Sequence, residues 1–234
     1  MIGKSQQKSA NANAMEFTRS LNRLLRQHGD STRAVAMEKY MKNKFVFFGI
    51  PQSRRRMLFK DFLKANGIPI KDSMTDVVFA MLAYAEREMH YCAMELMQKK
   101  MKEVEKDDIE IITEMIVTHS WWDTVDYIAV HLAGAYFRAF PESANKVTDA
   151  WMQSGNLWLQ RSAILFQLKY REKTDTALLF GLIAKSFGSK EFFIRKAAGW
   201  ALRELSKTQP TAVREFVESH TLSGLTVREA MKYV

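Results

Sequence analysis

Two stretches of this chain align class by class. Trp158-Leu-Gln-Arg-Ser-Ala-Ile164 and Phe193-Ile-Arg-Lys-Ala-Ala-Gly199 both read aromatic, apolar, polar, basic, small, small, at an offset of 35 residues. Ala93 falls in the same register two periods before Ala163, and Trp122 precedes Trp158 by nearly one period. A repeat of that length is two helices and two turns, the unit from which HEAT-like solenoids are stacked. The matched small residues Ala93, Ala163 and Ala198 allow neighbouring helices to approach closely.

Helical spacing supports this reading. Phe79, Leu82, Ala83, Met89, Ala93, Leu96 and Met97 recur at threes and fours, as do Leu157, Ile164, Leu165 and Leu168, and again Phe192, Ala197, Ala198, Ala201, Leu202 and Leu205. Only 4 Pro and 10 Gly occur in 234 residues, fewer than turn-rich β folds use. Short breaks fall at 65–69, 140–143, 154–156, 187–189 and 208–210. Pro141 and Pro210 suit the first turn of a helix, and Asp72 or Ser73, Ser154 or Asn156, and Ser189 suit N-caps. The expected fold is all-α, a right-handed superhelical solenoid of about six HEAT-like helix pairs with one concave binding face. An irregular α-helical bundle is the alternative.

Residues 1–14 are polar and lack the apolar core of a secretory signal, so they are expected to be a disordered tail or a cloning remnant, with 15–234 a single domain. No stretch is apolar over the roughly 18 residues a membrane span needs. One cysteine, Cys92, excludes a disulfide framework and any Cys-rich zinc module, and the five histidines lack metal spacing. No metal and no cofactor are expected. The chain reads as a cytoplasmic protein.

Lys and Arg number 35 against 26 Asp and Glu, a net charge of +9 that favours a polyanionic partner. The cations cluster: Lys39, Lys42 and Lys44; Arg54, Arg55, Arg56 and Lys60; Arg161, Lys169 and Arg171; Lys190, Arg195, Lys196 and Arg203. Arg161 and Lys196 occupy matched repeat positions. A basic stripe along a curved surface suits a phosphate backbone, whereas any one of these cations alone reads as a solvated side chain.

Ser120-Trp-Trp-Asp-Thr-Val-Asp126 is unusual for a packing helix. Trp122 and Asp126 share a face, and a carboxylate beside an indole suits a cationic or electron-poor group. The competing reading makes Trp121 core, Trp122 interface and both aspartates solvated. Trp122, Arg161 and Trp200 then follow one another at 39-residue spacings, which puts them in successive repeats.

Lys39-to-Ile50, Ser120-to-Asp126, Asn156-to-Tyr170 and Ser189-to-Glu204 together resemble the bacterial DNA-alkylation-repair glycosylases of the AlkD type, over Met15 to the C-terminus. The resemblance implies excision of N3- and N7-alkylated purines from duplex DNA; a monomer is expected, because a solenoid with one DNA groove needs no partner subunit. It implies Trp122, Asp126 and Trp200 as catalytic residues, Arg161 on a phosphate flanking the lesion, and Tyr40, Lys169 and Arg203 near DNA. The loop 50–56 departs from the family pattern but keeps Arg55 and Arg56, expected on the DNA backbone. The rivals are a non-catalytic DNA-binding helical-repeat protein and a HEAT-like protein scaffold.

Overall fold

The computed structural model describes residues 2–233, without the side chains of residues 2–12, 71 and 72. The tail expected over 1–14 therefore lies almost wholly outside the described side chains, as does Asp72; Ala14 is buried. All regular structure among the described residues is helical, which gives the expected all-α class. The chain divides into two compact units, Met1–Lys102 and Glu103–Val234, where the sequence suggested one domain from 15 onward.

The first unit holds α1 (Ile2–Gln27), α2 (Ser31–Tyr40), α3 (Gln52–Asn66), α4 (Lys71–Leu82) and α5 (Arg87–Lys100). Helix α1 packs on α3 and α4, and α5 packs on both of those. The α2–α3 connection is pinned by a buried acid. Glu88 accepts hydrogen bonds from the backbone N–H groups of Phe48 (3.0 Å), Gly49 (2.9 Å) and Ile50 (3.1 Å). Gly49 has φ +86°, and a Cβ there would lie 2.1 Å from the Asp30 carbonyl, so glycine is required.

The second unit holds α6 (Asp108–Val117), α7 (Trp122–Tyr127), α8 (Gly134–Ala139), α9 (Ala144–Gln153), α10 (Leu157–Leu165), α11 (Thr176–Ala184), α12 (Phe192–Ser206), α13 (Pro210–Ser219) and α14 (Gly224–Ala230). A π-helical segment, Ile128–Ala133, joins α7 to α8. Helices α7, α10 and α12 begin at Trp122, Leu157 and Phe192, so the period read from the sequence is the spacing of helix starts. Helix α10 packs against α9 behind it and against α7 and α12 on either side, and α12 packs in turn on α14. This is the helix-pair repeat in physical form: each apolar stripe is buried by the next pair.

Local signals set the ends. Asn156 caps α10, its side chain accepting from the N–H of Trp158 and of Leu159. Pro210 opens α13. Ser189 lies just ahead of the cap of α12, which is Glu191. Ala93, Ala163 and Ala198 are buried as their register requires. Two glycines allow still closer approach. A Cβ on Gly134 would meet the Phe166 carbonyl at 2.6 Å, and one on Gly199 would meet the Glu229 Cβ at 2.6 Å.

Candidate functional site

The second unit brings Asp126 and Arg161 together. Helix α7 starts only at Trp122 because Trp121 is extended and its carbonyl takes the N–H groups of Thr124 and Val125. One turn on, Asp126 faces α10. Arg161 Nε donates to Asp126 Oδ1 at 2.7 Å and Nη2 to Oδ2 at 2.8 Å, a bidentate fork. Nη1 donates to the Phe193 carbonyl at 2.5 Å. One guanidinium thus ties α7, α10 and α12. Its side chain is 4% exposed and that of Asp126 17%.

This changes the picture of Arg161. An outward phosphate contact was expected; the guanidinium is instead buried, with three of its five N–H groups committed within the protein. Burial pushes the Asp126 carboxyl above its ordinary value. Arg161 opposes that rise, and the charge of Asp123 adds to it.

An aromatic cluster borders the pair. The rings of Trp121, Trp158 and Phe193 contact one another at centroid separations of 5.0–5.5 Å. Trp122 on α7 and Trp200 on α12 are both half-buried.

The expected DNA contacts fare unequally. Lys169 is exposed beyond the end of α10, its Nζ 3.3 Å from His131 Nε2. Arg203 donates to Glu229 at 2.7 Å with its side chain 22% exposed; Glu229 also holds Lys196 at 2.7 Å. In the first unit, Tyr40 ends α2 and is 69% exposed. Arg55 is corrected: it is 2% exposed, forked onto Glu95 at 2.8 and 3.0 Å, with its guanidinium over the Tyr91 ring. A cation so enclosed reaches no DNA backbone. Arg56 remains at the surface while sharing Glu95. Beside them, burial pushes the Cys92 thiol up to about 12, which makes it an inert buried side chain.

Four residues were missed: Phe193, His131, Glu95 and Glu229. The last two are the acids that claim the expected DNA-binding cations. A signal existed for the central pair, since Asp126 and Arg161 are one repeat apart and so are neighbours on adjacent helices.

Among the described residues no helix is long and apolar enough to cross a membrane. The family model described as DNA alkylation repair enzyme matches residues 21–234. The chain belongs to that family. It is similar to a solved structure described as a predicted DNA alkylation repair enzyme from Enterococcus faecalis, at 32% identity and TM-score 0.82, covering 88% of this chain and 96% of that one. It also shares its fold with the crystal structure of smu.31 from Streptococcus mutans UA159, at 15% identity and TM-score 0.63, covering 93% and 99%. No curated protein matches.

Proposed function

We propose that this chain is a DNA glycosylase that excises cationic N3- and N7-alkylated purines, of the 3-methyladenine and 7-methylguanine type, from duplex DNA. Family membership supports a role in alkylation repair. The observation that carries the chemical reading is the Asp126–Arg161 fork beside Trp122, in the unit that also carries Trp200.

An N7-alkylguanine already bears positive charge, so the base departs without prior protonation. The C1′–N bond breaks with its electron pair moving to the purine, and positive charge appears on the sugar. Water adds at C1′ and releases one proton. Asp126 supplies a fixed negative charge for that cation. The fork uses two of its roughly four lone-pair positions, leaving acceptor capacity for the attacking water. Trp122 and Trp200 offer indole faces to the sugar. Arg161 holds the carboxylate in place. Lys169, Arg203, Arg56 and Tyr40 contribute backbone contacts. The second unit alone carries Asp126, Arg161, Trp122 and Trp200, and the enzyme is proposed to act as a monomer.

The test is release of 7-methylguanine and 3-methyladenine from methylated duplex by wild type and Asp126→Asn. Wild type releases both. Only ionised Asp126 serves the cation, so the rate falls as pH drops through its raised pKa, and Asp126→Asn removes most of the rate and that acid limb. Absence of release by folded wild type refutes the glycosylase. Salt-dependent duplex binding without release is the outcome that selects the non-catalytic DNA-binding reading.

A further inference from the structure

We infer that Phe193 is the positioning residue of the Asp126–Arg161 pair, setting from α12 both the guanidinium that holds the carboxylate and the helix face that carries Trp200. Its functional half rests on the glycosylase reading; its structural half does not.

A guanidinium forked onto a carboxylate is fixed along one edge only. It can still swing about its flexible stem together with the acid. Arg161 is stopped from doing so by its remaining edge, where Nη1 meets the Phe193 carbonyl at 2.5 Å. That carbonyl sits in the first turn of α12, so its position is the position of the helix end.

The ring determines where that end lies. It packs against Trp121 at 5.2 Å and Trp158 at 5.0 Å between centroids, and the Arg161 guanidinium carbon lies 5.7 Å from its centre. Trp121 precedes α7 and Trp158 lies in the first turn of α10. The ring therefore references α12 to the two helices that carry Asp126 and Arg161. Residues 193 and 200 are two helical turns apart on one face, so a shift of the α12 end moves Trp200 with it. Further along, α12 is tied to α14 through Lys196, Arg203 and Glu229.

Trimming the ring then has a defined consequence. The α12 end relaxes, the carbonyl withdraws, and Arg161 grips Asp126 less firmly. Arg161 opposes the effect of burial on the Asp126 carboxyl, and the charge of Asp123 adds to that effect.

The experiment follows the Asp126 carboxyl directly by ¹³C NMR titration, in wild type, Phe193→Leu, the milder Phe193→Met and the conservative Phe193→Tyr. The Asp126 midpoint is expected to rise by about 0.5 or more on the pH scale in Phe193→Leu, by less in Phe193→Met, and to stay at the wild-type value in Phe193→Tyr. Single-turnover excision should fall about tenfold in Phe193→Leu, its acid limb moving with the NMR midpoint, while affinity for undamaged duplex is unchanged. A folded Phe193→Leu or Phe193→Met that only melts earlier, with the midpoint in place, overturns the inference and leaves Phe193 as packing. A wild type that excises nothing, combined with a midpoint that moves, refutes the glycosylase and sustains the positioning role.

Discussion

Removing one partner of the Asp126–Arg161 pair should cost far more than removing both. Arg161→Met takes away three charge-assisted hydrogen bonds and leaves a carboxylate whose side chain is 17% exposed. Asp126→Leu leaves a guanidinium that is 4% exposed with only the Phe193 carbonyl. Stranding a buried charge in this way costs about 3–5 kcal/mol. Replacing both leaves no charge to strand, and apolar groups of similar volume recover most of the loss, so the double variant should lie within about 2 kcal/mol of wild type. If each single costs about 4 kcal/mol, additivity predicts about 8 for the double. The coupling is then about 6 kcal/mol, well above the scatter for unconnected sites. The assay is urea unfolding followed by tryptophan fluorescence. All five tryptophans lie between residues 121 and 200, so the signal reports the second unit alone. With a slope of about 2 kcal/mol per molar urea, each single should shift the midpoint by about 2 M and the double by 1 M or less. A double variant as unstable as the sum of the singles would show that the two side chains are independent and that the fork contributes nothing as a pair.

Three further outcomes follow from particular contacts. Gly199→Ala places a Cβ against Glu229 and the Thr226 carbonyl, so α12 and α14 must separate; the same fluorescence titration should read a loss of about 1–3 kcal/mol. Glu88→Ala strips the shared acceptor from three backbone N–H groups, and hydrogen exchange at Phe48, Gly49 and Ile50 should accelerate by about 100-fold or more while helices of the second unit keep their protection. Cys92 should resist a thiol reagent in the native protein and react fully in denaturant, because burial keeps its proton on; rapid native labelling would contradict the packing described for α5.

Much of the architecture was readable because it is periodic. Helices α10 and α12 announce themselves by apolar residues at threes and fours, and their 35-residue offset reappears as the distance between helix starts. Asn156 and Pro210 were readable because capping depends on one side chain and its immediate neighbours. What escaped depends on partners far along the chain. Arg55 looks like its neighbours Arg54 and Arg56, yet it lies on the stripe of Leu58, Phe59 and Phe62 that α3 buries, and there it meets Glu95. The clue was present in the spacing but was overridden by the run of arginines. Arg161 was recognised and misplaced, because a cation read in isolation looks available until its carboxylate is located. The roles of Phe193 and Glu229 rest on a backbone carbonyl and on a close helix crossing, neither of which leaves a mark in residue type.

The π-helical segment Ile128–Ala133 bears on how this protein can diverge. Such a segment is what one additional residue leaves when it enters an α-helix whose two ends are already packed. Upstream of it the helix presents Trp122 and Asp126; downstream Gly134 presses against the Phe166 carbonyl. Losing one residue from 128–133 would restore a regular helix and turn one end against the other by about 100°. Asp126 would then rotate away from Arg161, or Gly134 away from α10. Point substitution across these six positions leaves that phase intact, and a single-codon deletion does not. Length is therefore the more constrained property of this stretch, because the register between Asp126 and Gly134 depends on it.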